Sequence, residues 1–159
     1  MNNKNFANEK EKTQRKKIKE LTRLSDYVTI FPDDDFSRTD GYMINLFTDE
    51  RFTFESKWYG DSTHPRYSDK FPNYQIDYDK LSALKAKSEE DNSKPLLICF
   101  FSNELVVWDI NKCNWQNTKK KVYTNKFGGA YGQQKEYSDQ AYLLLSDAIY
   151  RNPNITPFS

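Results

Sequence analysis

Two carboxylates and one lysine carry most of the reactive chemistry in this sequence. Glu55 and Lys57 stand two positions apart in RFTFESKWYG (51–60). Alternating aromatic and polar residues make that run a predicted strand. Strand side chains two apart share a face, so the carboxylate and the ammonium lie side by side. Phe52, Phe54 and Trp58 then take the other face, with Ser56 among them. Asp40 stands just before a second predicted strand, GYMINLF (41–47), and TDE (48–50) predicts a tight turn between the two. Antiparallel pairing about a turn near Asp49 sets residues 40 to 43 roughly opposite 55 to 58 and lets Asp40 converge on Glu55 and Lys57. Two carboxylates can hold a hard cation such as Mg²⁺ or Mn²⁺ with water and phosphate oxygens filling its shell. Such a cation activates water and neutralises phosphate charge, and a nearby ammonium orients the water or stabilises the phosphorane. A plainer expectation competes: Glu55 and Lys57 as a solvated ion pair, and Asp40 as the first residue of an Asp-Gly turn.

The elements that must position these residues follow from pattern. Residues 1–9 read as a polar, flexible tail, and helix formers dominate from Asn8 to Leu24, with Ile18, Leu21 and Leu24 as a core-facing stripe. YVTIF (27–31) is a predicted strand, broken by Pro32 and the charged turn Asp33, Asp34 and Asp35. After the 41–59 hairpin comes a polar loop over 60–73, then a predicted helix beginning near Asp77 or Tyr78. KPLLICFF (94–101) is apolar on both faces and reads as a buried strand, turning through SNE (102–104) into LVVWDI (105–110). The segment 111–140 gives weaker signals, and AYLLLSDAIY (141–150) fits a strand or a short helix. Mixed connections of this kind predict an α/β or α+β domain around one central mixed sheet flanked by helices, spanning 10–150, with 151–159 as a C-terminal tail.

The stretch TDGYMINLFTDERFTFESK resembles the active-site hairpin of the PD-(D/E)XK nuclease superfamily: an acid at the head of one strand, then acid-x-lysine on the next. Asp40 matches the first acid, Glu55 the second and Lys57 the lysine. The order of elements over roughly residues 15 to 110 is similar to the αβββαβ core of that restriction-endonuclease-like fold. The resemblance implies a Mg²⁺- or Mn²⁺-dependent endonuclease acting on DNA, with Asp40 and Glu55 on the metal and Lys57 orienting the attacking water. It also implies a helper Glu on the first helix, for which Glu20 is the candidate, and a Gln after the acid-x-lysine strand, for which Gln75 is the candidate. Holliday-junction resolvases of similar size share this core, so branched DNA and a symmetric homodimer are part of the implication. Ser56 departs from the apolar residue usual between acid and lysine, and Thr39 stands where the superfamily's proline would be. A nuclease-like domain without catalysis, serving as a binding or assembly module, has the same pattern, and a plain α+β interaction protein remains a further alternative.

Bulk composition narrows the rest. The 24 basic and 23 acidic residues leave a net charge of +1, so nucleic-acid contact must come from local patches. TKKKVYTNKFGGAYGQQK supplies one, with Lys119, Lys120, Lys121 and Lys126 among aromatic residues, as either a phosphate-contacting loop or a solvated hairpin. Tyr59, Tyr67, Phe71 and Tyr74 belong either to the core or to a nucleic-acid groove. Cys99 and Cys113 are not in metal-ligand spacing, and the single His64 builds no zinc site. No apolar run approaches membrane-spanning length and no leader is visible, so the expectation is a soluble cytoplasmic protein without membrane contact. The richness in Lys, Asn and Tyr suggests an AT-rich source such as a phage or mobile element.

Overall fold

The computed structural model describes residues 3–23, 26–32, 39–59, 64–70, 73–125 and 135–156. The expected turn at Asp33, Asp34 and Asp35, Phe71, Lys126 and the glycine-rich 127–132 lie outside the described residues.

Helix α1 (Asn3–Arg23) leads into the strands β1 (Tyr27–Ile30), β2 (Gly41–Asn45) and β3 (Arg51–Trp58). Strand β4 (Asn73–Asp77) runs directly into helix α2 (Tyr78–Glu90), and β5 (Lys94–Phe100) and β6 (Leu105–Asp109) follow. Strands β7 (Lys120–Asn125), β8 (Lys135–Leu144) and β9 (Tyr150–Asn152) complete the chain. Six strands form a mixed sheet in the order β1-β2-β3-β5-β6-β9, and β4-β8-β7 form a second, antiparallel one. Among the described residues only the β3–β5 pair is parallel, and α2 makes its crossover. The expected central mixed sheet flanked by helices is therefore present, with α1, β1–β3, α2 and β5 in the αβββαβ order.

Two apolar cores lie on the two faces of the large sheet. Ile18 of α1 packs with Phe54, Leu96, Ile98 and Phe100 on one face. On the other, Leu81 and Leu84 of α2 join Leu97, Cys99, Phe101 and Trp108, together with Tyr74, Ile76 and Leu143 from the small sheet. KPLLICF earns its unbroken apolar run because β5 feeds both cores at once. Among the described residues no helix is long and apolar enough to cross a membrane.

Several expectations are corrected. The helix starts at Asn3, so the segment expected as a tail, 1–9, is helical from its third residue. The C-terminal tail expected from 151 instead enters the structure. Arg151 pairs with Val106 in the large sheet, Ile155 packs on the α1-side core, and Lys17 Nζ donates to the Thr156 carbonyl at 2.5 Å. The loop expected over 60–73 ends in β4, which the sequence reading missed, and 111–140 holds β7 and the start of β8. The turn between β2 and β3 lies earlier than TDE: Asn45 N–H donates to Glu50 O, and the Asn45 side chain accepts from Phe47 and Thr48 N–H. Asp49 completes it with φ 58, a left-handed value. Tyr59 and Tyr74 belong to the core, where their rings meet edge-on at 4.8 Å, while Tyr67 is exposed.

Candidate active site

The site forms where β2 stops and β3 continues. Gly41 opposes Phe54, and Asp40 N–H donates to Phe54 O at 3.0 Å. This register brings Asp40 opposite Glu55, three positions tighter than a turn centred on Asp49 implies. Beyond Phe54 the next donor on that edge of β3 is Ser56 N–H, with no β2 residue to receive it. The Asp40 carboxylate does: its Oδ2 lies 2.7 Å from Ser56 N and 3.1 Å from Ser56 Oγ. Asp40 thus caps an open strand edge, where the two faces of the sheet meet.

Glu55 and Lys57 pair in register with Leu97 and Cys99 of β5 and so face α2 and the small sheet. They form an ion pair at 3.3 Å, with 16% and 21% of the two side chains exposed. Burial, and next the like charge of Asp40, push the Glu55 carboxyl above its ordinary range against the pull of Lys57 and Lys80. Lys80, on the first turn of α2, touches Lys57. That contact lowers the Lys80 ammonium first, with burial and the Lys57 charge adding to it. Lys57 is opposed by burial, yet its contact with Lys80 and the charges of Glu55 and Asp40 keep it raised. Of the two neighbouring lysines, Lys57 is thus shifted up and Lys80 down. Tyr59 follows Lys57 on the same face, and burial first, then Cys99, lift its hydroxyl far above the ordinary value. The Cys99 thiol is buried and raised, so it behaves as an apolar residue.

The structure brings Asp40, Glu55 and Lys57 together. It does not do so for Glu20, which lines a separate apolar cavity of about 740 Å³ with Leu21, Met43 and Ile155. Gln14 is the residue of α1 that reaches the site, its Oε1 3.0 Å from Ser56 Oγ. The two are six residues apart and so point about 120° from one another around the helix, which turns Glu20 away when Gln14 faces Ser56. Gln75 sits on β4 opposite Tyr142 and is exposed, while Tyr74 and Ile76 turn inward. In its stead Lys80 and, through it, Asp77 approach Lys57 and Glu55. Of the basic patch, Lys119 is paired with Asp139 at 3.2 Å and lies over the Tyr78 ring. Lys120 lies over Tyr142. Lys121 lines a cavity of about 430 Å³ with Lys80, Asp77 and Tyr137. Signals for the missed residues existed: Asp77-x-x-Lys80 places both at the start of the predicted helix, and the polar Ser56 breaks an otherwise aromatic face.

Two carboxylates suit a hard cation, and oxygen donors are what Mg²⁺ or Mn²⁺ takes. Ser56 binds Asp40 at Oδ2 and Lys57 pairs with Glu55 at Oε1. The raised Glu55 carboxyl reflects burial first and then the like charge of Asp40, which a bound cation would offset. No group of three or more His, Cys, Asp or Glu converges among the described residues, so water and substrate oxygens must complete any shell there.

No family model matches this chain, and no curated protein sequence matches it. Among solved structures it is similar to Hjc of Archaeoglobus fulgidus, a Holliday junction resolvase from an archaeal hyperthermophile. The TM-score is 0.47 at 8% identity, over 63% of this chain and 77% of that one. A likeness of that size leaves the chemistry to be argued from the residues themselves.

Proposed function

We propose that this chain is a Mg²⁺-dependent endonuclease of the PD-(D/E)XK type that hydrolyses DNA phosphodiester bonds, branched DNA included. The observation that carries the reading is the place of Asp40, capping the open edge of β3 within electrostatic reach of Glu55 and Lys57. Asp40 Oδ1 and Glu55 Oε2 would hold the cation, which when bound supplies an activated water and neutralises phosphate charge. Lys57, kept protonated by Glu55 and Asp40, orients that water and faces the charge gathering on phosphorus. Lys80 stands beside it as a second donor to the phosphate, and Lys121 continues the basic line toward the small sheet. A two-fold dimer would present two such sites to the two strands of a junction.

The test is cleavage of labelled linear, nicked and four-way-junction DNA with Mg²⁺, Mn²⁺ or EDTA, run beside Glu55→Ala and Lys57→Ala. Metal-dependent cutting lost in both variants supports the reading, and a preference for the junction supports the branched substrate. No cutting by a folded wild type on any substrate refutes it. A second reading, a nuclease-like module without catalysis, draws on the Glu55–Lys57 ion pair, since each group then satisfies the other. That reading expects DNA or protein binding indifferent to EDTA.

A further inference from the structure

We propose that Ser56, backed by Gln14 of α1, is the positioning residue for Asp40 and fixes which carboxylate oxygen faces the cation. The inference deepens the metal-site reading above and rests on it. Ser56 stands where the resemblance implies an apolar residue, and its side chain points to the α1 face beside Ile98. A polar side chain there has a reason only if it is used. Its backbone N–H and its hydroxyl both reach Asp40 Oδ2, at 2.7 and 3.1 Å, and the hydroxyl is also 3.0 Å from Gln14 Oε1.

One hydroxyl proton serves one acceptor, and the ionised carboxylate is the stronger of the two. A half-turn of the Gln14 amide presents its Nε2 instead, giving a directed chain: Gln14 donates to Ser56 Oγ, and Ser56 donates to Asp40. Two donors on Oδ2 fix the carboxylate plane, so Oδ1 is the oxygen turned out to the cation. Partners that hold metal ligands in this way set metal affinity. Gln14 and Glu20 lie on different faces of α1, so this helix assists Asp40 through an amide and not through a third carboxylate.

The test uses the full chain with Ser56→Ala, Ser56→Thr, Gln14→Ala and Asp40→Asn. Three readouts are taken: hydrogen exchange of the Ser56 amide without metal, Mn²⁺ affinity by calorimetry without DNA, and the Mg²⁺ dependence of cleavage. The wild-type Ser56 amide should be protected although β2 does not cover it, and Asp40→Asn should weaken that protection. Ser56→Ala should lower Mn²⁺ affinity by about 10- to 100-fold. Gln14→Ala should fall between Ser56→Ala and wild type, and Ser56→Thr should restore affinity. At saturating Mg²⁺ the Ser56→Ala enzyme should keep kcat within about a factor of three, because the lost restraint acts on metal capture. A Ser56 amide that exchanges freely in the wild type overturns the proposal, as does Mn²⁺ affinity unchanged by Ser56→Ala. A wild type that binds no Mn²⁺ while its Ser56 amide stays protected through Asp40 overturns the metal reading and leaves the restraint on Asp40 standing.

Discussion

Gly41→Ala tests the geometry that delivers Asp40 to the site. A Cβ at Gly41 would lie 2.3 Å from Phe54 Cζ and 2.6 Å from Cε1, against 3.4–4 Å for ordinary contact. The Phe54 ring, fully buried and edge-on to Phe31 at 6.0 Å, must therefore retreat by more than an ångström into packed side chains. Overpacking of this kind costs about 1–3 kcal/mol, and the smaller unfolded-state entropy of Ala offsets about 0.4–1 of it. A net loss of about 1–2 kcal/mol corresponds to a fall in Tm of about 2–8 °C for a chain of this size. Calorimetry or circular-dichroism melts of Gly41→Ala, Phe54→Leu and the double variant supply the assay. Leucine lacks the ring atoms that clash, so the double variant should be more stable than the sum of the singles by about 0.5–3 kcal/mol. Gly41→Ala should also weaken Mn²⁺ binding, because Asp40 is bonded through its own N–H to Phe54. A wild-type Tm for Gly41→Ala, or strictly additive losses, would refute the claim that this glycine exists for the close approach of the Phe54 ring.

Further predictions concern the buried carboxylates. Glu55 is raised in the native state, so above the ordinary value of 4.5 the unfolded chain releases a proton that the native state keeps, and stability falls as pH rises through that window. In EDTA, the Tm of Glu55→Gln relative to wild type should therefore climb as pH rises above the ordinary carboxylate value, and Mg²⁺ should raise the wild-type Tm alone; a gap independent of pH would contradict this. Glu104 behaves oppositely: although burial opposes it, the hydrogen bonds from Arg151 and Ser68 hold it below its ordinary value. Arg151→Ala leaves that buried carboxylate short of its main partner and should cost about 1–3 kcal/mol near neutral pH. The stabilisation is present above the ordinary carboxylate value and is lost as pH falls through the depressed one, so the Tm gap should close in acid. A gap that widens in acid would count against it.

The hairpin was legible because its signals are local: Asp40, the aromatic alternation and the acid-x-lysine spacing all lie within twenty residues. Its register was not, since Asn45, by capping Phe47 and Thr48, starts the turn before TDE begins. β5 was readable from its apolar run. β4 was hidden behind Pro72 and three polar positions, because only Tyr74 and Ile76 turn inward and the outer residues Gln75 and Asp77 read as loop. β8 likewise opens with KEYSDQ, a polar stretch whose pairing with β7 is set by its partner and not by its own hydropathy. Gln75 was misplaced because β4 itself was not foreseen, whereas Glu20, Gln14 and Lys80 lie on helices. Which side of α1 faces β3 depends on how the helix docks, and that choice brings Gln14 in and turns Glu20 away. The place of Lys80 at the start of α2 is readable from Asp77-x-x-Lys80, but its approach to Lys57 arises because α2 is the crossover between β3 and β5, a long-range fact.

Fe²⁺ in place of Mg²⁺, with ascorbate and peroxide, would test the central claim most directly, because radicals made at a bound ion cut the chain beside it. The account predicts backbone breaks clustered near residues 40 and 55, suppressed by excess Mg²⁺ and absent in Glu55→Ala. Breaks elsewhere, for instance around Asp77 and Asp139, or none at all in the folded wild type, would contradict a cation held between Asp40 and Glu55.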